Sequence, residues 1–204
     1  MNYLAFDTSG NYLTVAVKGK QKAVSEIKEC LHSHSVSLMK EIEECLLNSG
    51  VELSDIDVFA CSVGPGSFTG IRIGVSTAKA FAYACGKKVL GVTSFESLAY
   101  NIVDSAKKLT LIDARHDNFY ACAFDGENNV ILEPCFLSKS EIINLYKDYL
   151  IISDVEIDGI DSVKGDLAKG FITAVEHKIN LASEDRESLV PLYVKKSQAE
   201  EELC

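Results

Sequence analysis

The order of its elements constrains this chain more than any single motif. Alternating apolar residues over Tyr3–Asp7, Tyr12–Lys18 and Ala23–Cys30, broken by Ser9-Gly10-Asn11 and Lys18-Gly19-Lys20 turns, predict a three-strand meander. A helix over Ser35–Asn48 follows, with Leu38, Met39, Ile42, Cys45 and Leu46 on one face and Gly50 as its stop. Next come a strand at Asp57–Val63, a helix at Gly70–Cys85 closed by Gly86, and a strand at Lys88–Val92. A helix then runs from Ser94 to about Asp104, opened by the capping-box pair Thr93 and Glu96. The later half begins the same way. Strands at Leu109–Asp113, Phe119–Asp125 and Val130–Phe136 precede a helix capped by Ser138 and Glu141 that reaches about Tyr149. A strand at Leu150–Ser153 and a helix at Asp166–Ile179 complete the series. Three strands and then alternating helix and strand thus occur twice, with Asp7 and Asp113 at matching strand ends and negligible residue identity between the halves. The pattern predicts an α/β chain of two similar lobes flanking a cleft. The first spans 1–104 and the second, smaller one 105–204, with the packing of 183–204 left open.

Charge narrows the function classes. Thirty acidic and twenty basic residues leave a net charge of −10, and no basic stripe is present. Neutralised phosphates supply most of the affinity for a polyanion, so a nucleic-acid role requires a partner that brings the positive charge. Seven cysteines, an odd number without a C-x-x-C pair, lie mostly in apolar runs and disfavour both a disulfide framework and a zinc knuckle. No run approaches the roughly 20 apolar residues that span a bilayer, and the first residues lack a signal-peptide pattern, so the expected location is cytoplasmic.

The most pointed segment is Gly64-Pro65-Gly66-Ser67-Phe68-Thr69-Gly70, between a buried strand and a helix start. Its glycines permit close backbone approach, and free amides at a helix N-terminus favour an anion, with Ser67 and Thr69 adding hydroxyls. It matches neither the G-x-x-x-x-G-K-[ST] loop nor G-x-G-x-x-G, and a tight strand–helix connection reads equally well. Asp7-Thr8-Ser9-Gly10 and Asp113-Ala114-Arg115 stand open in the same way, as strand-end loops reaching a phosphate or hydrated magnesium, or as ordinary turns. His32 and His34 are the only clustered histidines and lack further ligands at a telling spacing, so no metal site is expected. Ser67 has no G-x-S-x-G context. Helix 70–85 carries two charges in sixteen residues, and Arg72, Ser76, Lys79 and Tyr83 form its one polar stripe. Such a helix is either central in a core or covered by another chain. Read as a subunit interface, the contacts are Leu38, Met39, Ile42, Ile71, Val75, Ala78 and Ala82, and an exposed face of this kind also allows a homodimer when the chain is alone.

These residues, taken in order, carry a resemblance. Ala5-Phe6-Asp7-Thr8-Ser9, His34-Ser35, GPGSFTGIRIG at 64–74, Gly91-Val92-Thr93-Ser94, Ile112-Asp113-Ala114-Arg115, Pro191-Leu192-Tyr193 and Ser197-Gln198-Ala199-Glu200 resemble the bacterial TsaB (YeaZ) family. The resemblance implies the actin-like ASKHA fold of two ribonuclease-H-like lobes, and a role in making threonylcarbamoyladenosine next to the anticodon of tRNA. It implies a non-catalytic subunit that pairs with a catalytic paralogue, TsaD, alongside a small ATPase, TsaE, with tRNA reached only through the complex. The paralogue's H-x-x-x-H metal motif reads His34-Ser35-Val36-Ser37-Leu38 here, with leucine in place of the second histidine. Asp7, Thr8, Ser9, Gly64, Gly66, Ser67, Thr69, Gly70 and Asp113 then form a degenerate nucleotide cleft, for which weak ATP or ADP with magnesium stays open. Two other classes remain: an actin-like phosphotransferase using Asp7, Thr8, Ser9 and Asp113, and a metallopeptidase, which the missing histidine weakens.

Overall fold

The computed structural model describes residues 1–19, 23–29 and 34–194. Strands β1 (Tyr3–Asp7), β2 (Tyr12–Lys18), β3 (Ala23–Glu29), β4 (Val58–Gly64) and β5 (Lys88–Thr93) form one sheet in the order β3-β2-β1-β4-β5. The meander is antiparallel, with Asp7 opposite Thr14, and β4 and β5 add in parallel on the other side of β1. Strands β6 (Lys108–Asp113), β7 (Asn118–Phe124), β8 (Val130–Ser138), β9 (Leu150–Ser153) and β10 (Val163–Lys164) repeat that order as β8-β7-β6-β9-β10. Both sheets therefore have the ribonuclease-H-like 3-2-1-4-5 arrangement, and together they make the two-lobed, actin-like fold.

The central strands β1 and β4 of the first sheet are buried along their whole length because helices cover both faces, whereas the edge strand β3 is largely exposed. Helices α1 (His34–Ser49) and α2 (Phe68–Cys85) lie on the outer face. There Leu38, Ile42 and Cys45 of α1 and Ile71, Val75, Ala78 and Ala82 of α2 pack on Leu4, Phe6, Phe59 and Cys61. The inner face, with Tyr3, Ala5, Ala60 and Val92, is covered by Phe171, Ala174 and Val175 of α5 (Leu167–Lys178), a helix from the other half of the sequence. The exchange is mutual. Phe95, Leu98 and Ala99 of α3 (Ser94–Ala99) pack on Ile112, Cys122, Phe124 and Ile152 of the second sheet, whose outer face carries Ile142 of the short α4 (Lys139–Leu145). Each sheet thus takes part of its inner cover from the other half of the sequence, α5 on the first and α3 on the second.

α3 and α5 meet between the lobes at backbone distance. A Cβ on Gly170 would overlap the Ser97 carbonyl oxygen, so only glycine allows the crossing. Asn101 and the Asp166 backbone exchange two hydrogen bonds of 3.0 and 3.2 Å, and Lys178 Nζ reaches Glu96 Oε1 at 2.6 Å. α3 stops at Ala99, short of the expected Asp104, where the buried Lys108 ammonium donates to the Ala99 carbonyl (3.4 Å) and to Asn128 Oδ1 (2.8 Å). A cation at a helix C-terminus meets the negative end of its dipole.

The segment after α5 returns to the first lobe. Ser183 pairs with Val89 on the open edge of β5, Arg186 Nε donates to the carbonyls of Ala82 and Lys87 (both 3.0 Å), and Leu189 is buried. Lys79 and Tyr83 both bind Glu187, and Arg72 Nε donates to Tyr193 Oη at 2.9 Å. Three of the four polar-stripe residues of α2, Arg72, Lys79 and Tyr83, therefore bond to Glu187 and Tyr193 of the same chain, although Arg72 and Tyr83, like Ser76, remain exposed. Ser197-Gln198-Ala199-Glu200 and His32 lie outside the described residues.

Candidate functional site

The strand-end loop of the first lobe and the glycine loop form one packed joint. Asp7, Thr8 and Ser9 are buried, at 5, 1 and 4% exposure. Thr8 Oγ1 donates to the Gly70 carbonyl at 2.7 Å, and Asp7 Oδ1 accepts from the Ser9 N–H at 2.7 Å. The Ser67 N–H donates to the Ser9 carbonyl at 2.7 Å, and Ser62 Oγ donates to Ser9 Oγ at 3.2 Å. A Cβ on Gly66 would lie 2.5 Å from the Ser9 carbonyl oxygen, and one on Gly70 would overlap that of Thr8. Gly64, at φ 97°, turns the chain out of β4 into this loop. Ser67 caps α2 by accepting from the Gly70 N–H at 3.2 Å, and Ser94 Oγ ties the loop to α3 through the Pro65 carbonyl at 2.7 Å.

Gly66 and Gly70 thus serve a close backbone approach between the two loops. The Thr8 and Ser9 hydroxyls both take hydrogen bonds within the chain, and the Gly66 and Gly70 backbone packs on that of Ser9 and Thr8. Cys61 lies just beneath this joint, and burial pushes its thiol well above the usual range, with the Asp7 charge adding to the shift. Of the remaining cleft residues, Ser67 and Thr69 are exposed on the loop surface.

Asp113 occupies the equivalent strand end of the second lobe in a different setting. It is exposed, its Oδ1 accepts from the Arg115 N–H at 2.8 Å, and its own N–H donates to Asp154 Oδ1 at 3.0 Å. Burial raises the Asp154 carboxyl above its ordinary range, partly offset by that donated hydrogen bond. Among the described residues, no group of three or more His, Cys, Asp or Glu side chains could hold a metal ion. Leu38, at the place of the second motif histidine, is buried in the core.

The interface residues read from the sequence need correction. Leu38, Ile42, Ile71, Val75, Ala78 and Ala82 are 0–6% exposed and belong to this chain's own core, so they touch the first sheet; only Met39 is exposed, at 53%. The periodicity marked the apolar face correctly, but a sheet already covers it. What α1 leaves outside is Val36 (79%), Met39 and Leu47 (80%). α2 adds the exposed Ser76, Ala80 and Ala84 beside the half-buried Ile73 and Thr77. This second α2 stripe is small-sided and uncharged, and sequence reasoning missed it because alanine and serine give little contrast against an apolar face. Among the described residues, no helix is long and apolar enough to cross a membrane.

Known proteins match this molecule along most of its length. The family model "TsaD: tRNA N6-adenosine threonylcarbamoyltransferase" matches residues 28–202. The tRNA threonylcarbamoyladenosine biosynthesis protein TsaB of Buchnera aphidicola subsp. Baizongia pistaciae is 37% identical over 188 residues, covering 84% of this chain and 82% of that one. The Escherichia coli protein of the same name is 29% identical over 134 residues, 64% of this chain. The match spans only 58% of that relative's length, and 52% of the length of its Haemophilus influenzae counterpart. In fold, YeaZ from Pseudomonas aeruginosa superposes with a TM-score of 0.79 at 23% identity, over 94% of this chain and 99% of that one.

Proposed function

Because the chain belongs to the TsaB (YeaZ) family, we propose that it is a non-catalytic subunit that pairs with and activates a TsaD-type threonylcarbamoyltransferase in making threonylcarbamoyladenosine on tRNA. The observation that carries this reading is the closed joint at Asp7–Ser9. A phosphotransferase of this fold needs that loop open to phosphate, and here the Thr8 hydroxyl bonds to the glycine loop and the Ser9 hydroxyl to Ser62 of β4. Without the second motif histidine, the metallopeptidase reading loses its ligand pair as well. The chain then acts through its surface. The outer stripe of α2 and the exposed Val36, Met39 and Leu47 of α1 offer small and apolar side chains to the helices of a paralogue. With a net charge of −10, the subunit leaves tRNA contact to the complex, which a TsaE-type ATPase completes. Alone, the same stripe pairs two copies of the chain.

Co-purification with the H-x-x-x-H paralogue, quantified by mass spectrometry, tests the pairing. Ala80→Glu and Ala84→Glu should keep the circular-dichroism melt of the natural chain and abolish co-purification. Ala78→Glu, by contrast, should unfold the chain, because an unpaired carboxylate forced into the core costs several kcal/mol. Normal pairing by both outer variants would refute the assignment of this face, and failure of the natural chain to recover the paralogue would refute the partner role.

A further inference from the structure

We propose that Arg115 is a docking residue that takes a carboxylate on the surface of a protein partner; the inference rests on the partner role above and adds a second contact point, on the other lobe. Three consecutive residues without a glycine, Arg115, His116 and Asp117, have φ values of 68, 54 and 56°. His116 and Asp117 are the central pair of a hairpin turn closed by the Asn118 N–H on the Arg115 carbonyl at 3.2 Å. Hairpin turns of this hand ordinarily use Asn-Gly or Asp-Gly, since the left-handed region disfavours a side chain by about 1–2 kcal/mol per residue. Reversing the chain does not require Arg-His-Asp at this turn, and strain retained in a folded protein points to use of the residues that bear it.

The turn is also braced. Asp113 Oδ1 holds the Arg115 N–H, Asn118 Nδ2 donates to the His116 carbonyl at 2.7 Å, and the first amide of α4, on Lys139, donates to the Asp117 carbonyl at 2.9 Å. The guanidinium itself has no partner among the described residues and is exposed. The chain's two other arginines, Arg72 and Arg186, both bond within it. The comparison between lobes sharpens the point. At the equivalent strand end the first lobe's turn is sealed by the glycine loop, whereas this one stands uncovered with an arginine at its tip.

Chemistry selects the occupant. A planar guanidinium takes one carboxylate through two parallel hydrogen bonds, and holding it on a fixed turn reduces the ordering needed on contact. Binding to a nucleic-acid backbone needs several cations, and here the single arginine has Asp113, Asp117 and Asp154 nearby in a chain of net charge −10.

The test is a titration of the purified H-x-x-x-H paralogue with the full chain. Arg115→Ala and Arg115→Lys should each weaken binding at least tenfold with an unchanged melting temperature, and the loss should shrink at high salt. The double variant His116→Gly with Asp117→Gly should melt higher than the natural chain yet bind more weakly, a combination that a purely structural turn does not give. Equal affinity of the natural chain and Arg115→Ala overturns the docking role and leaves the partner reading standing. No binding by the natural chain overturns both. Loss of tRNA retention by the assembled complex with unchanged protein pairing would assign Arg115 to nucleic acid and overturn the carboxylate.

Discussion

Replacing Gly70 with alanine probes the joint between the Asp7–Ser9 loop and the glycine loop. The added Cβ would overlap the Thr8 carbonyl oxygen and come within 3.2 Å of the Ser67 Cβ. Both neighbours are held by hydrogen bonds, so the clash is relieved only by moving the loop away from β1. Overpacking of this kind costs about 1–3 kcal/mol. The shift also breaks the bond from Thr8 Oγ1 to the Gly70 carbonyl, and a lost hydrogen bond costs about 1 kcal/mol. A total of about 2–4 kcal/mol is a large share of the 5–15 kcal/mol that holds a typical domain together. For a chain of this length it should lower the melting temperature by roughly 4–16 °C, read by calorimetry or circular dichroism. Gly10→Ala is the matched control, since a Cβ there meets no heavy atom within 4 Å, and its melt should shift by no more than about 1 kcal/mol in either direction. Equal melts for Gly70→Ala and Gly10→Ala would refute the close approach of the two loops.

The buried thiols give a second prediction. Burial pushes Cys45 up to about 11 and Cys122 up to about 12, and drives Cys61 higher still, so alkylation of the folded protein at pH 8 should spare all three. Peptide mapping that finds Cys61 labelled as fast as in the denatured chain would contradict the packing beneath the joint. Asp154 gives a pH-dependent one. Its carboxyl is raised in the folded state, chiefly by burial, so its ionised form is disfavoured there. Its favourable contribution is complete below the ordinary carboxyl range and is lost as pH rises through the folded value. Asp154→Asn keeps an acceptor for the Asp113 N–H and should melt higher than the natural chain at pH 7, with the gap closing towards pH 4 and below. A gap that is constant with pH, or of opposite sign, would refute the burial argument.

The parts of the fold legible in the sequence were those set by local chemistry. Both capping boxes form as read, Thr93 with Glu96 and Ser138 with Glu141, and the twice-repeated element order becomes two sheets of one topology. Element ends were less legible because long-range partners set them. α3 closes early because Lys108 takes its last carbonyl and Asn101 turns away to the Asp166 backbone, and α4 ends at Leu145 rather than near Tyr149. The two-residue β10 has too short a pattern to read. The candidate site was legible as a set of residues but not as a state. Gly66, Gly70, Thr8 and Ser9 do meet, yet only coordinates show that they pack against one another. Periodicity found the apolar faces of α1 and α2, but it carries no information on whether a sheet or a second chain lies against them.

The exchange of α3 and α5 between the lobes bears on how the chain is made. As it leaves the ribosome, the first sheet can complete its strands once Thr93 has emerged, but Phe171, Ala174 and Val175, which cover its inner face, follow about eighty residues later. At about 5–20 residues per second that interval is on the order of 4–16 s. During it Tyr3, Ala5, Ala60, Leu90 and Val92 face water on a sheet that already carries both outer helices. The nascent chain is therefore stickiest in mid-synthesis, and a message truncated before α5 yields a product with an uncovered apolar sheet, suited to chaperones and proteases.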